Sequence, residues 1–219
     1  MASLFERYRP RVWDDVVGQD KAIGILRRLM SGAGLGGRAY WIAGPSGTGK
    51  TTIAKLIAAE LAGTWGTIEI PPGGLSAEVM RDMERDIWQR SVPDSDGAPT
   101  GKVYVVNEAH TLRGATIARL LDLIENLPEH AAILFTTTNE GQDKLFDDYD
   151  DTSPLLSRCV LLPMARRDLA KAFAERARMI AQKEGLDGQP IEAYVKLAQK
   201  HKNNFRAMLG EIENGGMLE

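Results

Sequence analysis

The chain has 219 residues, 43% hydrophobic and 26% charged, with a formal net charge of −3. That composition belongs to a folded globular chain: a disordered one would hold fewer aliphatics, and a membrane protein would show an unbroken apolar run of roughly 18 residues or more, which the sequence does not contain. The acidic balance excludes a protein basic throughout in the manner of a nucleic-acid coat, yet charge is uneven: residues 1–159 hold 17 Lys and Arg against 22 Asp and Glu, residues 160–219 hold 10 against 8. The shift suggests two domains. The charged start, MASLFERYRP, lacks the apolar core of a signal peptide. The single cysteine, Cys159, forms no internal disulfide and no multi-cysteine zinc site, so a reducing cytoplasm is expected.

The first clear element is a strand over 39–43 (AYWIA). It stops at Gly44-Pro45-Ser46-Gly47-Thr48-Gly49, after which Lys50 to Leu61 shows apolar residues at helical spacing. A second strand covers 67–70. Ser76 is placed to cap a helix running to about Arg90, with Val79, Met83 and Ile87 recurring every four residues. Residues 93–100 (PDSDGAPT) read as a loop. Strand 102–106 leads into Asn107-Glu108-Ala109-His110, helix 115–126 follows, and a fourth strand spans 132–137. Residues 140–156 read as acidic and irregular, and 160–162 as a fifth short strand. Beyond Pro163 only helices are expected, over 166–184, 190–201 and 204–213. Strand–helix alternation followed by helices implies an α/β fold: a parallel five-stranded sheet in residues 1–163 and a small helical lid in 164–219.

GPSGTGKT at 44–51 fits the phosphate-loop pattern G-x-x-x-x-G-K-[ST], in the required setting between a strand and a helix. Its glycines let backbone N–H groups turn toward phosphate oxygens, and the helix N-terminus adds partial positive charge. Lys50 is placed for the β- and γ-phosphates of ATP, and Thr51 for Mg²⁺. Asn107 and Glu108 stand at the carboxyl end of a hydrophobic strand, where parallel sheets expose ligand-binding residues. Glu108 suits orienting an attacking water, although Asn-Glu is also a helix-capping pair. Asn107 keeps an acceptor oxygen for a Mg²⁺-bound water but has no charge. Read alone, Arg158 is a surface arginine near four aspartates.

These motifs resemble the AAA+ ATPases, and more narrowly the clamp-loader subunits: the bacterial gamma/tau subunit of DNA polymerase III and the replication factor C small subunits. Phe5-Glu6-Arg7-Tyr8-Arg9-Pro10, followed by Asp15-Val16-Val17-Gly18-Gln19, is similar to the family's opening motif. The stretch from Asn107 through Leu120-Leu121 and Glu125 to Pro128-Glu129-His130 is similar to its acidic box and following helix. The resemblance implies that Tyr8, Arg9, Val16 and Val17 lie at the adenine and that residues 44–52, Thr52 included, hold the phosphates. It further makes Asn139 a first sensor near the γ-phosphate, next to Thr138, and Arg206 in Asn204-Phe205-Arg206 a second one. Ser157-Arg158-Cys159 matches the clamp-loader Ser-Arg-Cys motif, which implies that Arg158 acts in trans on a neighbour's ATP. By the same resemblance the partners are a sliding clamp, other loader subunits and primer-template DNA, with no membrane. Three departures stand out: Asn107 where the family usually has Asp, no zinc-binding cysteines, and no counterpart in these residues of the family's helical collar domain. Two alternatives remain, a nucleotide-binding scaffold subunit with little hydrolysis, favoured by Asn107, and another AAA+ DNA motor such as a Holliday-junction branch-migration protein.

Overall fold

The computed structural model describes residues 2–138 and 152–218. Five strands, β1 (Arg38–Ala43), β2 (Thr67–Ile70), β3 (Lys102–Val106), β4 (Ala131–Thr137) and β5 (Cys159–Pro163), form one sheet in the order β2-β3-β4-β1-β5, all neighbours parallel. Every residue of β4 is buried, as befits a central strand covered on both faces. Side chains alternate between two cores, so Ala39 and Trp41 of β1 point to one face and Tyr40 and Ile42 to the other.

One face is covered by α4 (Ala77–Asp86) and α5 (Gly114–Glu125), through Met80, Met83, Ile117 and Leu120. The other is covered by α2 (Asp20–Met30) and α3 (Lys50–Leu61), through Ala22, Leu26, Ile53 and Ile57. Ser76 caps α4 by accepting from Val79 N at 3.2 Å. That helix stops at Asp86, short of the expected Arg90, because the chain folds back and Ser91 N donates to Thr100 O. Helix α2, for which the sequence reading gives no element, buries a stripe of Ala22, Ile23 and Leu26. The end of the stretch expected to be irregular forms a short helix, α6 (Thr152–Ser157); residues 140–151 of it lie outside the described residues.

The C-terminal helices α7 (Ala170–Glu184), α8 (Ile191–Lys200) and α9 (Phe205–Glu213) pack around a third core. The first of them starts four residues later than expected: Arg166 is committed to the backbone carbonyls of His201 and Lys202, and Asp168 takes a left-handed conformation (φ 58°) that a helix cannot continue through. This third core also receives the chain's beginning. Leu4, in the four-residue helix α1 (Leu4–Arg7), is fully buried among the C-terminal helices, and its backbone N–H donates to Glu213. Arg7 and Tyr8 both donate to Glu184 (2.7 and 2.6 Å). These bonds hold the Glu184 carboxyl below its ordinary range, the Tyr8 hydroxyl first and then the Arg7 guanidinium. The tether is therefore complete above the usual carboxylate pKa and lost as pH falls through the lowered one.

Chain ends ordinarily fray, and truncating a side chain there costs nothing. Here Leu4→Ala should lower the unfolding free energy by about 2–4 kcal/mol, the range for emptying a fully buried leucine site. Denaturant midpoints of the two proteins check this, and a difference near zero would mean the N-terminal segment is not docked in solution.

Candidate active site

Parallel register brings three strand ends within two residues of one another. Ala43 of β1 pairs with Thr137 of β4, and Val106 of β3 with Phe135 of β4. The loop 44–49, the pair Asn107-Glu108 and the Thr136–Thr138 run therefore open onto the same edge of the sheet, with the lid helices facing them.

The loop is shaped by its glycines. Gly47 and Gly49 have φ of +79° and +94°, which a residue with a Cβ adopts only under strain. Gly49 is the N-cap of α3, so that helix presents its N-terminus to the site. Lys50 is buried and bends back, its Nζ donating to Gly44 O (2.7 Å) and Pro45 O (3.0 Å). A cation solvated by the loop's own carbonyls is held at the loop's centre.

Two adjoining chambers meet there. The polar one, about 470 Å³, is lined by Ser46, Gly47, Gly49, Lys50, Thr51 and Thr52 from the loop and α3, and by Asn107, Glu108, Thr136, Phe5, Arg9 and Arg206. The second, about 550 Å³ and largely apolar, is lined by Phe5, Tyr8, Arg9, Pro10, Val16, Val17, Phe173 and Phe205 among others. A charged chamber beside an apolar slot matches the two ends of a nucleotide, phosphates and base. Three cations, Lys50, Arg9 and Arg206, face the polar chamber, with Glu108 as the acid at its edge.

Glu108 has φ 51° and ψ 55°, a left-handed conformation that is rare for a residue bearing a side chain. Its neighbours over-determine it: Glu108 O accepts from Thr111 N and from Thr111 Oγ1 (3.0 Å each), Glu108 N donates to Thr136 Oγ1 (3.4 Å), and its carboxylate lies 3.4 Å from His110 Nδ1. Thr136 in turn donates to Asn107 Oδ1 (3.1 Å). One buried hydroxyl thus ties both residues of the pair together.

The lid reaches the loop through Asn204. Its side chain caps α9, accepting from Ala207 N, and stands so close to Gly47 that a Cβ there would collide with Asn204 Oδ1. Buried Gln19 joins the loop to the stretch after β5, donating to Thr48 O (3.2 Å) and Ala165 O (2.9 Å) and accepting from Ala165 N (2.9 Å). Arg206, on α9, lies over the Phe5 ring at 4.5 Å.

The structure thus brings together Tyr8, Arg9, Val16, Val17, residues 46–52 (Ser46, Gly47, Thr48, Gly49, Lys50, Thr51, Thr52), Asn107, Glu108 and Arg206. Gly44 and Pro45 belong to the site through the Lys50 bonds rather than by lining it. Arg158 does not line either chamber: its guanidinium pairs with Glu125 at 2.6 Å and donates to Pro154 O. Burial pushes the neighbouring Cys159 thiol up to about 12, far from the value of a reactive cysteine. Asn139 lies outside the described residues. Sequence reasoning missed Thr136, whose signal was a polar run ending an otherwise apolar strand, and gave Gln19, Phe5 and Asn204 no role of their own.

Fold and site together define a P-loop nucleotide-binding protein of the α/β class. The sequence profile of the AAA family (ATPase family associated with various cellular activities) matches residues 40–160, more than half of the chain, and the protein belongs to that family. Replication factor C small subunit 1 of Pyrobaculum arsenaticum is 29% identical over 196 residues, covering 85% of this chain and 54% of that protein. DNA polymerase III subunit tau of Bacillus subtilis is 27% identical over 203 residues, covering 84% and 34%. The chain therefore spans between a third and just over half of these relatives' length. Among solved structures, the Thermotoga maritima RuvB Holliday junction branch migration motor superposes with a TM-score of 0.67 at 22% identity, covering 94% of this chain and 64% of that one; this is a likeness of fold.

The backbone of Glu108 yields a prediction independent of any ligand. Because a left-handed conformation costs a side-chain-bearing residue roughly 1–2 kcal/mol and glycine nothing, Glu108→Gly should be more stable than Glu108→Ala by about 1 kcal/mol. Urea unfolding of the two variants measures the difference. Equal midpoints would show that the residue relaxes out of this conformation.

Proposed function

We propose that the chain is an ATP-hydrolysing motor subunit of the clamp-loader type, acting in the cytoplasm with other loader subunits, a sliding clamp and primer-template DNA. The observation that supports it most is the polar chamber itself, where Lys50, Glu108 and Arg206 converge from three separate elements on one space beside an apolar slot. The replication relatives and the Ser157-Arg158-Cys159 motif support the clamp-loader assignment. The two-part division at residues 163 and 164 belongs to the same reading, as does Asn139 as a sensor.

In this reading the base lies in the apolar slot near Tyr8, Val16 and Val17, and the loop N–H groups and α3 N-terminus meet the phosphates. Lys50 exchanges its loop carbonyls for phosphate oxygens. Glu108, held in place by Thr111 and Thr136, accepts a hydrogen bond from the attacking water and orients it toward the terminal phosphorus. The donor set suits magnesium: Thr51 and Asn107 offer hard oxygen atoms, and among the described residues no cluster of three His, Cys, Asp or Glu would make an all-protein cage. Thr51 directly and Asn107 through a water would hold Mg²⁺, which when bound neutralises phosphate charge. Arg158, which lines neither of the two chambers and pairs with Glu125, would serve the site of a neighbouring subunit. Among the described residues no helix is long and apolar enough to cross a membrane.

A scaffold role with little turnover is favoured by one feature, the neutral Asn107. The branch-migration reading rests on likeness of fold.

Binding is tested by thermal unfolding with ATP and Mg²⁺. Ligand at about 100 times its dissociation constant should add about 2.7 kcal/mol of stability, and Lys50→Ala should remove most of the shift. A full shift in that variant would place the nucleotide elsewhere.

Action in trans is tested by mixing two inactive variants. Arg158→Ala should lower turnover about 10³-fold, the lower bound for loss of an arginine finger. Adding Lys50→Ala chains, which bind no ATP but still carry Arg158, should restore part of that loss. No restoration, where sedimentation shows that the chains associate, would refute the trans role.

A further inference from the structure

We propose that Phe5 aims Arg206 into the polar chamber and thereby sets a preference for nucleoside triphosphate over diphosphate. The inference deepens the reading of the chamber as an ATP site and rests on it. The Phe5 ring carries two guanidiniums, Arg206 at 4.5 Å from its centroid and Arg9 at 4.7 Å. Both arginines, and the ring itself, line the chamber that holds Lys50 and Glu108.

The two arginines are held differently. Arg9 is tied by several partners: its guanidinium bonds the Glu6 carboxylate twice and reaches Thr52 Oγ1 on α3 at 3.4 Å. Among the described residues no carboxylate or carbonyl hydrogen-bonds Arg206; Glu6, whose carboxylate is bonded to Arg9, acts on it only through space, and its orienting contact is the face of an aromatic ring. A ring quadrupole attracts a guanidinium without neutralising it. Arg206 is therefore positioned while its charge and its N–H donors remain available to an anion. A carboxylate partner would position it equally well but would have to be displaced by the phosphate.

Phe5 can do this because its segment is docked on the C-terminal helices. Its neighbour Leu4 is buried in the lid core, Leu4 N bonds Glu213 at the end of α9, and Arg206 sits in the first turn of that same helix. The Phe173–Phe205 ring pair, 5.0 Å between centroids, anchors the start of α9 beside it. Ring and guanidinium are thus both packed on the same group of C-terminal helices, and Arg9, which shares the ring, links this segment to Thr52 on α3. Preorganisation of this kind removes the ordering cost that a long, flexible side chain otherwise carries into binding. The gain goes to the ligand with the most negative charge in the chamber, the triphosphate.

The test measures affinity of the full chain, with Mg²⁺, for the non-hydrolysable β,γ-imido analogue of ATP and for ADP. Phe5→Leu should weaken the triphosphate about fivefold and ADP by no more than about twofold. Phe5→Tyr, which keeps the ring face, should retain the wild-type ratio, and Phe5→Leu should add nothing once Arg206→Ala is present. Should Phe5→Leu unfold at assay temperature, Phe5→Met replaces it. Equal weakening of both nucleotides, or an undiminished effect in the Arg206→Ala background, would overturn the positioning role and leave the ATP site standing. Failure of the wild-type chain to bind either nucleotide would instead bring down the site and this inference together.

Discussion

Side by side in the sheet, β1, β3 and β4 run parallel and end within two residues of one another, and the rest of the site is hung on that alignment. Backbone hydrogen bonds between β1 and β4 and between β4 and β3 set it, and register in a sheet buried on both faces does not slip. A shift of one residue would turn Trp41 and Phe135 toward the opposite core and would separate the glycine loop from Asn107 and Glu108. Because β4 lies between the other two, its last polar residues stand between the loop and the Asn107-Glu108 pair. Thr136 bonds Asn107 and Glu108 across the strand gap for this reason.

The lid is attached to the sheet by polar contacts that form a circuit. Gln19 ties the loop carbonyl of Thr48 to Ala165, just after β5. Arg166 donates to the carbonyls of Lys202 and His201, and Asn203 returns a bond to Arg166 O at 2.7 Å. Asn204, the next residue, touches Gly47 and closes the circuit back at the loop. Lys202 and Asn203 both hold positive φ (51° and 57°), so the turn that delivers α9 to the site is kept in a costly conformation by these bonds. The docked N-terminal segment gives the lid a second attachment, through Leu4, Arg7 and Tyr8.

Charge converges where the chemistry is proposed, and one residue there is held in a costly backbone conformation. Lys50, Arg9 and Arg206 crowd one chamber, an arrangement that favours a polyanion over water alone. Glu108 is held in a left-handed conformation by three hydrogen bonds of its backbone, which fixes its Cα direction before any ligand arrives. Asn107 contributes its oxygen to Thr136 rather than a charge to the chamber.

Much of this was legible in the residues. Strand 102–106 was placed to the residue, the phosphate loop followed from its spacing between strand and helix, and Ser76 capped its helix as read, because these depend on local backbone chemistry. Spacing along the chain says nothing, however, about which distant segments share a wall. That Phe5 meets Arg206 about two hundred residues away, that Thr136 joins Asn107 to Glu108, and that Arg158 pairs with Glu125 are consequences of strand order and helix docking. Helix ends failed for a related reason. The starts and stops at Asp86 and Ala170 are set by Ser91 and Arg166 bonding remote backbone, which no local periodicity records. The sequence by itself determined the strand–loop–helix unit and the chemical character of its residues, since both follow from short-range sterics and hydrogen bonding. Tertiary structure decided which side chains face the chamber and what holds each one, because only packing of the sheet against two helical layers and a lid brings them within reach of one another.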